Sequence, residues 1–246
     1  MTVPGRPELA FDFTRPATAA APPLLVFIHG GGWISGDLTM YADEAVWAAE
    51  NGLASACISY RLAPLHTFPA AVADVQSFLR HAESSSGELG VDPTRVVVVG
   101  NSAGGYLAAM AGLCPTDFGT GGTAIRPSAV VSLSGISDLR DPDMAAEPIA
   151  MTFVEQFMGG TLADMTDAYA QASPVAHVGP DSPPFLVVHG DDDEIVPVAQ
   201  SRQLVAALKG AGVEATYHEL AGEGHSYTYP AWLGIRDMIL EFVKAR

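Results

Sequence analysis

Residues 95–113 read RVVVVGNSAGGYLAAMAGL, an apolar, β-branched run that passes directly into a segment of small and apolar residues. The first half predicts a buried strand, and the second half, with apolar residues at helical spacing, predicts a helix. The junction at 100–104, GNSAG, is a G-x-S-x-G pattern. A strand that turns at once into a helix crowds the serine, so small residues are needed beside it. Ser102 is therefore a candidate nucleophile on a sharp turn, and the alternative is a serine that only caps the helix.

Further apolar runs recur along the chain and alternate with helix-like stretches. Buried strands are predicted at 24–28, 53–60, 95–100, 129–135 and 184–190, and a more alternating edge strand is predicted at 214–220. Helices are predicted at 41–52, 68–85, 102–113, 197–212 and 232–246. Strands that are apolar at every position are typical of parallel sheets that helices cover on both faces. The pattern predicts an α/β fold with a mostly parallel, doubly wound sheet.

One segment, 136–183, breaks the alternation of strands and helices. It predicts one or two short helices inserted between two strands of the sheet. Such an insertion would lie over the carboxyl edge of the sheet, where ligands bind in folds of this class. No internal repeat or domain-scale linker is evident, so residues 1–246 are expected to form a single domain with a cap-like insertion at about 136–183.

The chain is acidic, since 28 Asp and Glu against 12 Lys and Arg give a formal net charge of −16. Such a chain repels nucleic-acid phosphates and anionic membrane surfaces, so neither is expected as a partner. The N-terminal residues lack the apolar core of a signal peptide, and the longest apolar run near them is too short to span a bilayer, so a cytoplasmic location is expected. Cys57 and Cys114 have no metal-like spacing. No metal and no cofactor is expected, and the oligomeric state is left open.

The sequence HGGGW at 29–33 directly follows the predicted strand at 24–28. Glycines at that point allow backbone N–H groups to approach a ligand closely, as an oxyanion hole requires. The candidate donors are the N–H groups of Gly31, Gly32 and Ala103, the last being the residue after the candidate nucleophile. A phosphate-binding loop is the alternative, and it is disfavoured because the G-x-G-x-x-G spacing is missing.

A serine nucleophile needs a base, and the base needs a carboxylate that orients it. In sheets that carry such a serine turn, the acid and then the base follow the serine along the chain. His225, in the small-residue loop AGEGHSY after the last predicted strand, is the candidate base. His29 and His189 close buried strands and are expected to serve local structure. The acid is expected just after the strand at 184–190, where HGDDDEIVP at 189–197 offers four adjacent carboxylates.

Seven motifs occur in order between about residues 9 and 245: HGGGW, YRLAP, GNSAGG, SGISDL, YAQASPVAHV, PPFLVVHGDDDEIVP and GEGHSY. As a set they resemble the α/β-hydrolase carboxylesterases of the esterase/lipase group. Hormone-sensitive-lipase-like enzymes and small acetyl- and feruloyl-esterase-like enzymes belong to that group. The resemblance implies that Ser102 is the nucleophile, that His225 is its base, and that Gly31, Gly32 and Ala103 supply the oxyanion N–H groups.

The resemblance also selects among the four carboxylates. Esterases of this group carry H-G-x-x-D-x-x-V-P, and HGDDDEIVP matches that pattern with the acid at Asp193. Asp192 is the second candidate. Asp191, Asp192 and Glu194 are then expected to form a solvated acidic loop without a role in the chemistry.

The sequence departs from the larger members of the group at its N-terminal end. The start is short, so their large N-terminal cap helices are expected to be missing, and LAFDFTRP at 9–16 is left as a candidate edge strand. A compact enzyme with an open site, covered mainly by 136–183, is expected, which disfavours long-chain lipid substrates. Trp33, Tyr41, Tyr227 and Tyr229 are candidate pocket residues, of which Trp33 is the first choice.

The leading hypothesis is a serine hydrolase, a carboxylesterase that cleaves small acyl or aryl esters through an acyl-enzyme intermediate, with a small-molecule ester as its partner. An arylformamidase acting on N-formylkynurenine-type amides uses similar machinery and an HGG-x-W loop, so it is kept as an alternative. A lactonase, thioesterase or acyltransferase of a biosynthetic pathway is also compatible. A non-catalytic binding module on this fold is disfavoured, because such proteins commonly lose a triad residue and none is missing here.

Overall fold

The structure, a computed structural model, describes residues 1–17, 20–119 and 124–246. The strands in these ranges are Thr2–Val3 (β1), Arg6–Thr14 (β2), Leu24–Ile28 (β3), Ala54–Ile58 (β4), Val96–Asn101 (β5), Ala129–Leu133 (β6), Phe185–Gly190 (β7) and Ala215–Leu220 (β8). They form one sheet in the spatial order β1-β2-β4-β3-β5-β6-β7-β8. β1 and β2 pair antiparallel, and β2 pairs antiparallel with β4, whereas β3 to β8 all run parallel.

Helices connect the strands and cover both faces of the sheet. The α-helices of the described residues are Ala42–Glu50 (α1), Ala70–Ser84 (α2), Ser86–Leu89 (α3), Ala103–Leu113 (α4), Pro142–Ala145 (α5), Pro148–Met158 (α6), Thr166–Gln171 (α7), Ala199–Gly210 (α8) and Tyr229–Lys244 (α9). Leu38–Tyr41 and Pro174–His177 form 3₁₀ turns. Within the described ranges, no helix combines the length and the apolar character needed to cross a bilayer.

The strand β3 shows why the predicted strands are apolar at every position. Leu24, Val26 and Ile28 pack into one apolar cluster, together with residues of α2 and α4. Leu25 and Phe27 point to the opposite face and pack into a second cluster, together with residues of α1 and α9. Both faces of the strand are therefore removed from water, and each buried aliphatic side chain stabilises the fold by about 1.5–3 kcal/mol. The prediction of an α/β fold with a mostly parallel, doubly wound sheet is confirmed.

The N-terminal part of the sheet differs from the prediction. β2 begins at Arg6 rather than at residue 9, and it is not an edge strand, because β1 pairs with its outer side. β1 has two residues, which is too short for any period to show in the sequence. The two strands are joined by a turn in which Gly5 has a φ of 75°.

The segment 136–183 contains more helix than the one or two short helices that were predicted. It holds α5, α6, α7 and a 3₁₀ turn. Proline at the start of α5 and of α6 suits the first helical turn, where a backbone N–H has no partner. α6 is anchored, since Val154, Phe157 and Met158 on one of its sides are buried in the first apolar cluster.

The parallel strands set where functional residues can meet. Their carboxyl ends lie at one edge of the sheet, and the loops that leave β3, β5, β7 and β8 all start there. The four loops carry, respectively, HGGGW, Ser102, the acidic stretch at 191–194 and His225. Segments that are far apart in sequence are therefore brought to one place.

Candidate active site

Ser102 lies between the end of β5 and the start of α4, in a strained backbone conformation. Its φ of 57° and ψ of −121° fall in a region that non-glycine residues rarely adopt, at a cost of about 1–3 kcal/mol. The turn is tightly packed, because a methyl group added to Gly100 would collide with the Gly104 carbonyl, and one added to Gly104 would collide with the Ile28 carbonyl. The N–H of Ser102 donates to the Leu133 carbonyl at 2.8 Å. The predicted sharp turn is therefore present, and glycines are required on both sides of it.

His225 lies between Ser102 and Asp193. Its Nε2 is 2.9 Å from Ser102 Oγ, and its Nδ1 is 2.8 Å and 3.0 Å from the two carboxylate oxygens of Asp193. Because a carboxylate only accepts, Nδ1 carries a proton, which leaves Nε2 of the neutral ring free to accept the serine proton. The structure thus brings together the three residues that the sequence predicts as nucleophile, base and acid.

Asp193 is held as an anion by several donors. Its side chain is fully buried. The backbone N–H groups of Ile195 and Val196 donate to Oδ1 at 2.9 Å and 2.8 Å. Burial acts to raise the pKa of Asp193, but the hydrogen bonds from His189 and His225 outweigh it and hold the pKa well below its usual range. The carboxylate is therefore charged throughout the neutral pH range.

His189 contacts the carboxylate of Asp193, whereas the sequence predicts for it only a role in local structure. It is completely buried, and its Nε2 lies 3.0 Å from Asp193 Oδ2 and 3.0 Å from the Val196 carbonyl. Both partners are acceptors, so Nε2 carries the proton, and Nδ1 contacts Ser201 Oγ at 2.7 Å. Hydrophobic periodicity contains no signal for this contact, because it depends on how the loop after β7 folds back.

Two of the carboxylates that were expected to be solvated bystanders contact the loop that carries His225. Asp191 Oδ1 accepts a hydrogen bond from the Gly222 N–H at 2.6 Å. Glu194 Oε2 accepts one from the His225 N–H at 3.2 Å. Asp191 and Glu194 are exposed, as expected of a solvated loop, but both side chains also hold the neighbouring loop by its backbone, and these contacts were not predicted. Asp192 is exposed, as expected.

The glycine loop after β3 lies beside Ser102. Gly31, Gly32 and Trp33 have φ values of 104°, 60° and 61°, so the backbone turns sharply at three successive residues. A methyl group added to Gly30 would lie 3.5 Å from Ser102 Cβ, which shows how close the loop comes. The N–H of Ala103 lies in the first turn of α4, where backbone N–H groups lack partners within the helix and favour negative charge.

Two openings flank Ser102 and His225. A small cavity of about 20 Å³ is lined by Ser102, Ala103, Gly32 and apolar side chains. A larger cleft of about 390 Å³ is lined by His225 and by polar and aromatic side chains, among them Tyr41, Tyr227 and Tyr229. Trp33 borders the small cavity but is only 1 % exposed, since it stacks on Phe157 at 4.4 Å between ring centroids. It is therefore mainly a packing residue.

The described residues contain no group of three or more His, Cys, Asp or Glu side chains arranged to hold a metal ion. Ser102, His225 and Asp193 are instead paired with one another. The arrangement has three of the parts that acyl transfer requires: a hydroxyl, a base in contact with it, and a carboxylate on the base.

Comparison of the sequence with known proteins identifies its family. A family model described as BD-FAE matches residues 11–208. Esterase LipQ of Mycobacterium tuberculosis is 32 % identical over 250 residues, covering 97 % of this chain and 58 % of LipQ. Esterase LipC of the same organism is 33 % identical over 223 residues, covering 87 % of this chain and 54 % of LipC. The chain thus spans little more than half the length of these curated relatives.

Solved structures share the fold over nearly the whole chain. Esterase 2 of Thermogutta terrifontis, phosphonylated by sarin, superposes with a TM-score of 0.85 at 25 % identity, covering 96 % of this chain and 89 % of that one. A truncated carbohydrate esterase from gut microbiota superposes with a TM-score of 0.81 at 23 % identity, covering 95 % of this chain and 90 % of that one. At 23 % identity, the similarity to the carbohydrate esterase shows a shared fold alone.

Proposed function

This chain belongs to the BD-FAE family of α/β hydrolases, and from that premise we propose that it is a serine carboxylesterase that cleaves small acyl or aryl esters. The observation that carries the proposal is the continuous contact from Ser102 Oγ through His225 to the buried, ionised Asp193. Esterase names among its relatives support the reaction class. The phosphonylated Thermogutta esterase supports a reactive nucleophile on this fold.

In the first half of the reaction, Ser102 Oγ attacks the ester carbonyl carbon while its proton moves to His225 Nε2. The carbonyl oxygen becomes an oxyanion, and Asp193 stabilises the imidazolium that forms. The intermediate collapses when its bond to the alkoxy oxygen breaks and His225 gives the proton to that oxygen. An acyl group remains on Ser102, and the alcohol leaves.

In the second half, water replaces the alcohol. His225 takes a proton from the water as it attacks the acyl carbon, and the same proton returns to Ser102 Oγ when the acid is released. We assign the oxyanion contacts to the N–H groups of Gly31, Gly32 and Ala103, because the glycine loop lies beside Ser102 and the Ala103 N–H lies in the first turn of α4. We assign the cover of the site to the segment 136–183.

The proposal is tested with the full chain and its Ser102→Ala variant. Turnover of p-nitrophenyl acetate is expected to fall by about 10⁴-fold or more in the variant, since the acyl-enzyme cannot form. A fluorophosphonate probe is expected to label wild type on the peptide containing Ser102 and to leave the variant unlabelled. Retained turnover in the variant, or an unlabelled wild type, refutes the assignment.

The leaving group is tested separately from the nucleophile. Parallel rates on p-nitrophenyl acetate and N-formylkynurenine compare an ester with a formamide, both of which this arrangement could attack. We expect the ester to be the better substrate. A clear preference for the formamide would mean that Ser102 is still the proposed nucleophile but that the substrate is an amide and not an ester.

A further inference from the structure

The carboxyl ends of β6 and β7 each hold one residue of the proposed triad. At the end of β6, the Leu133 carbonyl accepts the Ser102 N–H at 2.8 Å. At the end of β7, His189 Nε2 lies 3.0 Å from Asp193 Oδ2. The two strands are adjacent and parallel, so the nucleophile and the acid are attached to one rigid edge of the sheet. The base, His225, is carried by a loop beyond the next strand, β8.

Tyr227, two residues after the candidate base, reaches the same two strand ends. Its Oη donates to the Val188 carbonyl of β7 at 3.1 Å and lies 2.7 Å from Ser134 Oγ. Ser134 directly follows β6, and its own N–H donates to the Val188 carbonyl at 2.9 Å. Because the Tyr227 proton goes to Val188, the Ser134 hydroxyl donates to Tyr227 Oη. The three groups form a closed set of hydrogen bonds that ties the loop of the base to β6 and β7.

This contact is more buried than the two contacts made by the acidic loop. Ser134 is 0 % exposed, and Tyr227 is half-buried. Asp191 and Glu194, which hold the His225 loop by its backbone, are both exposed. A hydrogen bond shielded from water is electrostatically stronger, and breaking it leaves a buried group without a partner. The contact between Ser134 and Tyr227 is therefore the firmer attachment of the loop.

The backbone at Ser134 points to a use for its side chain. Its φ of 45° lies in the left-handed region, which glycine adopts without strain and other residues rarely adopt. Glycine would relieve the strain but would have no hydroxyl to donate to Tyr227. Burial also raises the pKa of the Tyr227 phenol, so the phenol keeps its proton at neutral pH and remains a donor.

We propose that Tyr227 and Ser134 are positioning residues, whose hydrogen bond holds His225 Nε2 at proton-transfer distance from Ser102 Oγ. The inference rests on the proposed function. The Tyr227 ring lines the cleft beside His225, as the sequence analysis expected of a pocket residue, whereas its hydroxyl is bound to the strand ends. Both hydroxyl groups act on His225 through the loop backbone and not on the substrate.

Tyr227→Phe tests the role of the phenol hydroxyl, because it removes Oη and keeps the ring that lines the cleft. A displacement of about 1 Å in a reacting group can cost about 100-fold in rate, and a loop that loses one of several attachments is expected to move less. We therefore expect kcat on p-nitrophenyl acetate to fall about tenfold and KM to stay within about twofold of wild type. An unchanged kcat in the folded variant overturns the inference.

The leaving group separates positioning of the base from a merely structural role. The p-nitrophenolate ion leaves without being protonated, whereas the alcohol of benzyl acetate leaves only with the proton that His225 supplies. In Tyr227→Phe, kcat/KM is expected to fall at least about threefold further on benzyl acetate than on p-nitrophenyl acetate. Equal losses on the two esters would show that the hydroxyl supports the fold without positioning His225, and would overturn the inference.

A double-variant cycle tests whether the two residues act as a pair. Ser134→Ala leaves the hydrogen bond from Tyr227 to Val188 in place, so a smaller loss of kcat, about threefold, is expected. In Ser134→Ala/Tyr227→Phe the loss is expected to equal that of Tyr227→Phe alone, because the serine acts only through the phenol. Losses that multiply would show two independent effects and overturn the pairing.

The matched control is Tyr217→Phe, which removes a phenol hydroxyl that donates to Glu219 Oε2 at 2.7 Å on the exposed side of β8. It is expected to keep the wild-type kcat/KM on both esters, and a loss equal to that of Tyr227→Phe overturns the inference. If wild type is active and fluorophosphonate labels Ser102, a Tyr227→Phe variant equal to wild type refutes the inference and leaves the esterase intact. If wild type cleaves neither ester and Ser102 is not labelled, the proposed function fails and the inference fails with it.

Discussion

His189 Nε2 lies 3.0 Å from Asp193 Oδ2, and both side chains are fully buried. His225 Nδ1 lies 2.8 Å from the same oxygen, so a single carboxylate holds two imidazole rings. A carboxylate has about four acceptor positions, which is enough for both rings and for the N–H groups of Ile195 and Val196 on Oδ1. The orientation of Asp193 toward His225 therefore depends on a set of donors that leaves it little freedom.

His189 is predicted to be a positioning residue. His189→Leu removes the donor to Asp193, and kcat is expected to fall about 10- to 100-fold with a smaller change in KM, because a hydrogen bond to a charged group contributes about 1.5–3 kcal/mol. His189→Gln, which keeps an N–H donor, is expected to recover part of the loss. Equal kcat values for wild type and a folded His189→Leu variant would show that the contact is dispensable.

Asp193 is predicted to orient His225. In Asp193→Asn the fold is expected to persist, but kcat on p-nitrophenyl acetate is expected to drop by about 10⁴-fold, because the amide favours the wrong imidazole tautomer. Asp192→Asn is the matched control, since that side chain is exposed and the Asp192 backbone N–H still donates to the Glu223 carbonyl. Loss of activity in the control instead would move the acid to Asp192.

Asp193 is also predicted to make the fold sensitive to acid. Its pKa is lowered in the folded protein relative to the ordinary aspartate value of about 3.9. A lowered folded-state pKa contributes stability that is fully present above that ordinary value and is lost as pH falls toward the folded-state pKa. The Tm of wild type, measured from about pH 5 down to about pH 3, is expected to fall more steeply than that of Asp193→Asn. Parallel curves would contradict the prediction.

The strained backbone at Ser102 predicts that glycine is more stabilising there than alanine. Ser102→Gly and Ser102→Ala both remove the hydroxyl, but only glycine adopts φ 57° and ψ −121° without strain. Removing the backbone strain stabilises the folded state by about 1–3 kcal/mol. This gain exceeds the free-energy cost of the greater unfolded-state conformational freedom of glycine, which is about 0.5–1 kcal/mol. Denaturant unfolding is expected to give Ser102→Gly a free energy of unfolding about 1 kcal/mol higher than that of Ser102→Ala. The reverse order would mean that the turn is not strained in solution.

Glu194 is predicted to hold the His225 loop through its contact with the backbone N–H. Glu194→Ala removes this acceptor, and kcat is expected to fall about three- to tenfold, in line with one lost hydrogen bond. Glu194→Gln keeps a side-chain oxygen acceptor and is expected to stay close to wild type. If alanine and glutamine have the same effect, the carboxylate acts through its charge instead of through this hydrogen bond.

The strands of the sheet centre could be predicted from the sequence because each is buried on both faces. β3 lies at 24–28 as predicted, and β4 to β7 begin or end within two residues of their predicted limits. The short elements were not predicted. β1 has two residues and α5 has four, so neither is long enough to show a repeating apolar pattern. The prediction that 9–16 is an edge strand was wrong for the same reason, because β1, which pairs with its outer side, is too short to be predicted from the sequence.

The parts of the candidate site that are encoded in short, continuous sequence motifs could be predicted. Ser102 stands in a G-x-S-x-G turn, and the glycines proposed to form the oxyanion hole follow directly after β3. The assignments of Ser102, Asp193 and His225 stay predictions until the variants are measured. The contacts of His189 with Asp193, of Glu194 with the His225 N–H and of Phe153 with Gly32 were not predicted, because each depends on side-chain direction or on loops that meet only in the fold.

Sequence alone determined the fold class, the strand–turn–helix unit at Ser102 and a short list of acids and bases, since these follow from local crowding and the burial of apolar residues. Only the tertiary structure decided that Asp193 contacts His225 and His189 together, that Asp191 and Glu194 hold the opposite loop, and that Phe153 covers Gly32. The physical reason is distance along the chain. His225 and Ser102 are 123 residues apart in the sequence. They meet because parallel strands place their carboxyl ends at one edge of the sheet, and a local sequence pattern does not contain this information.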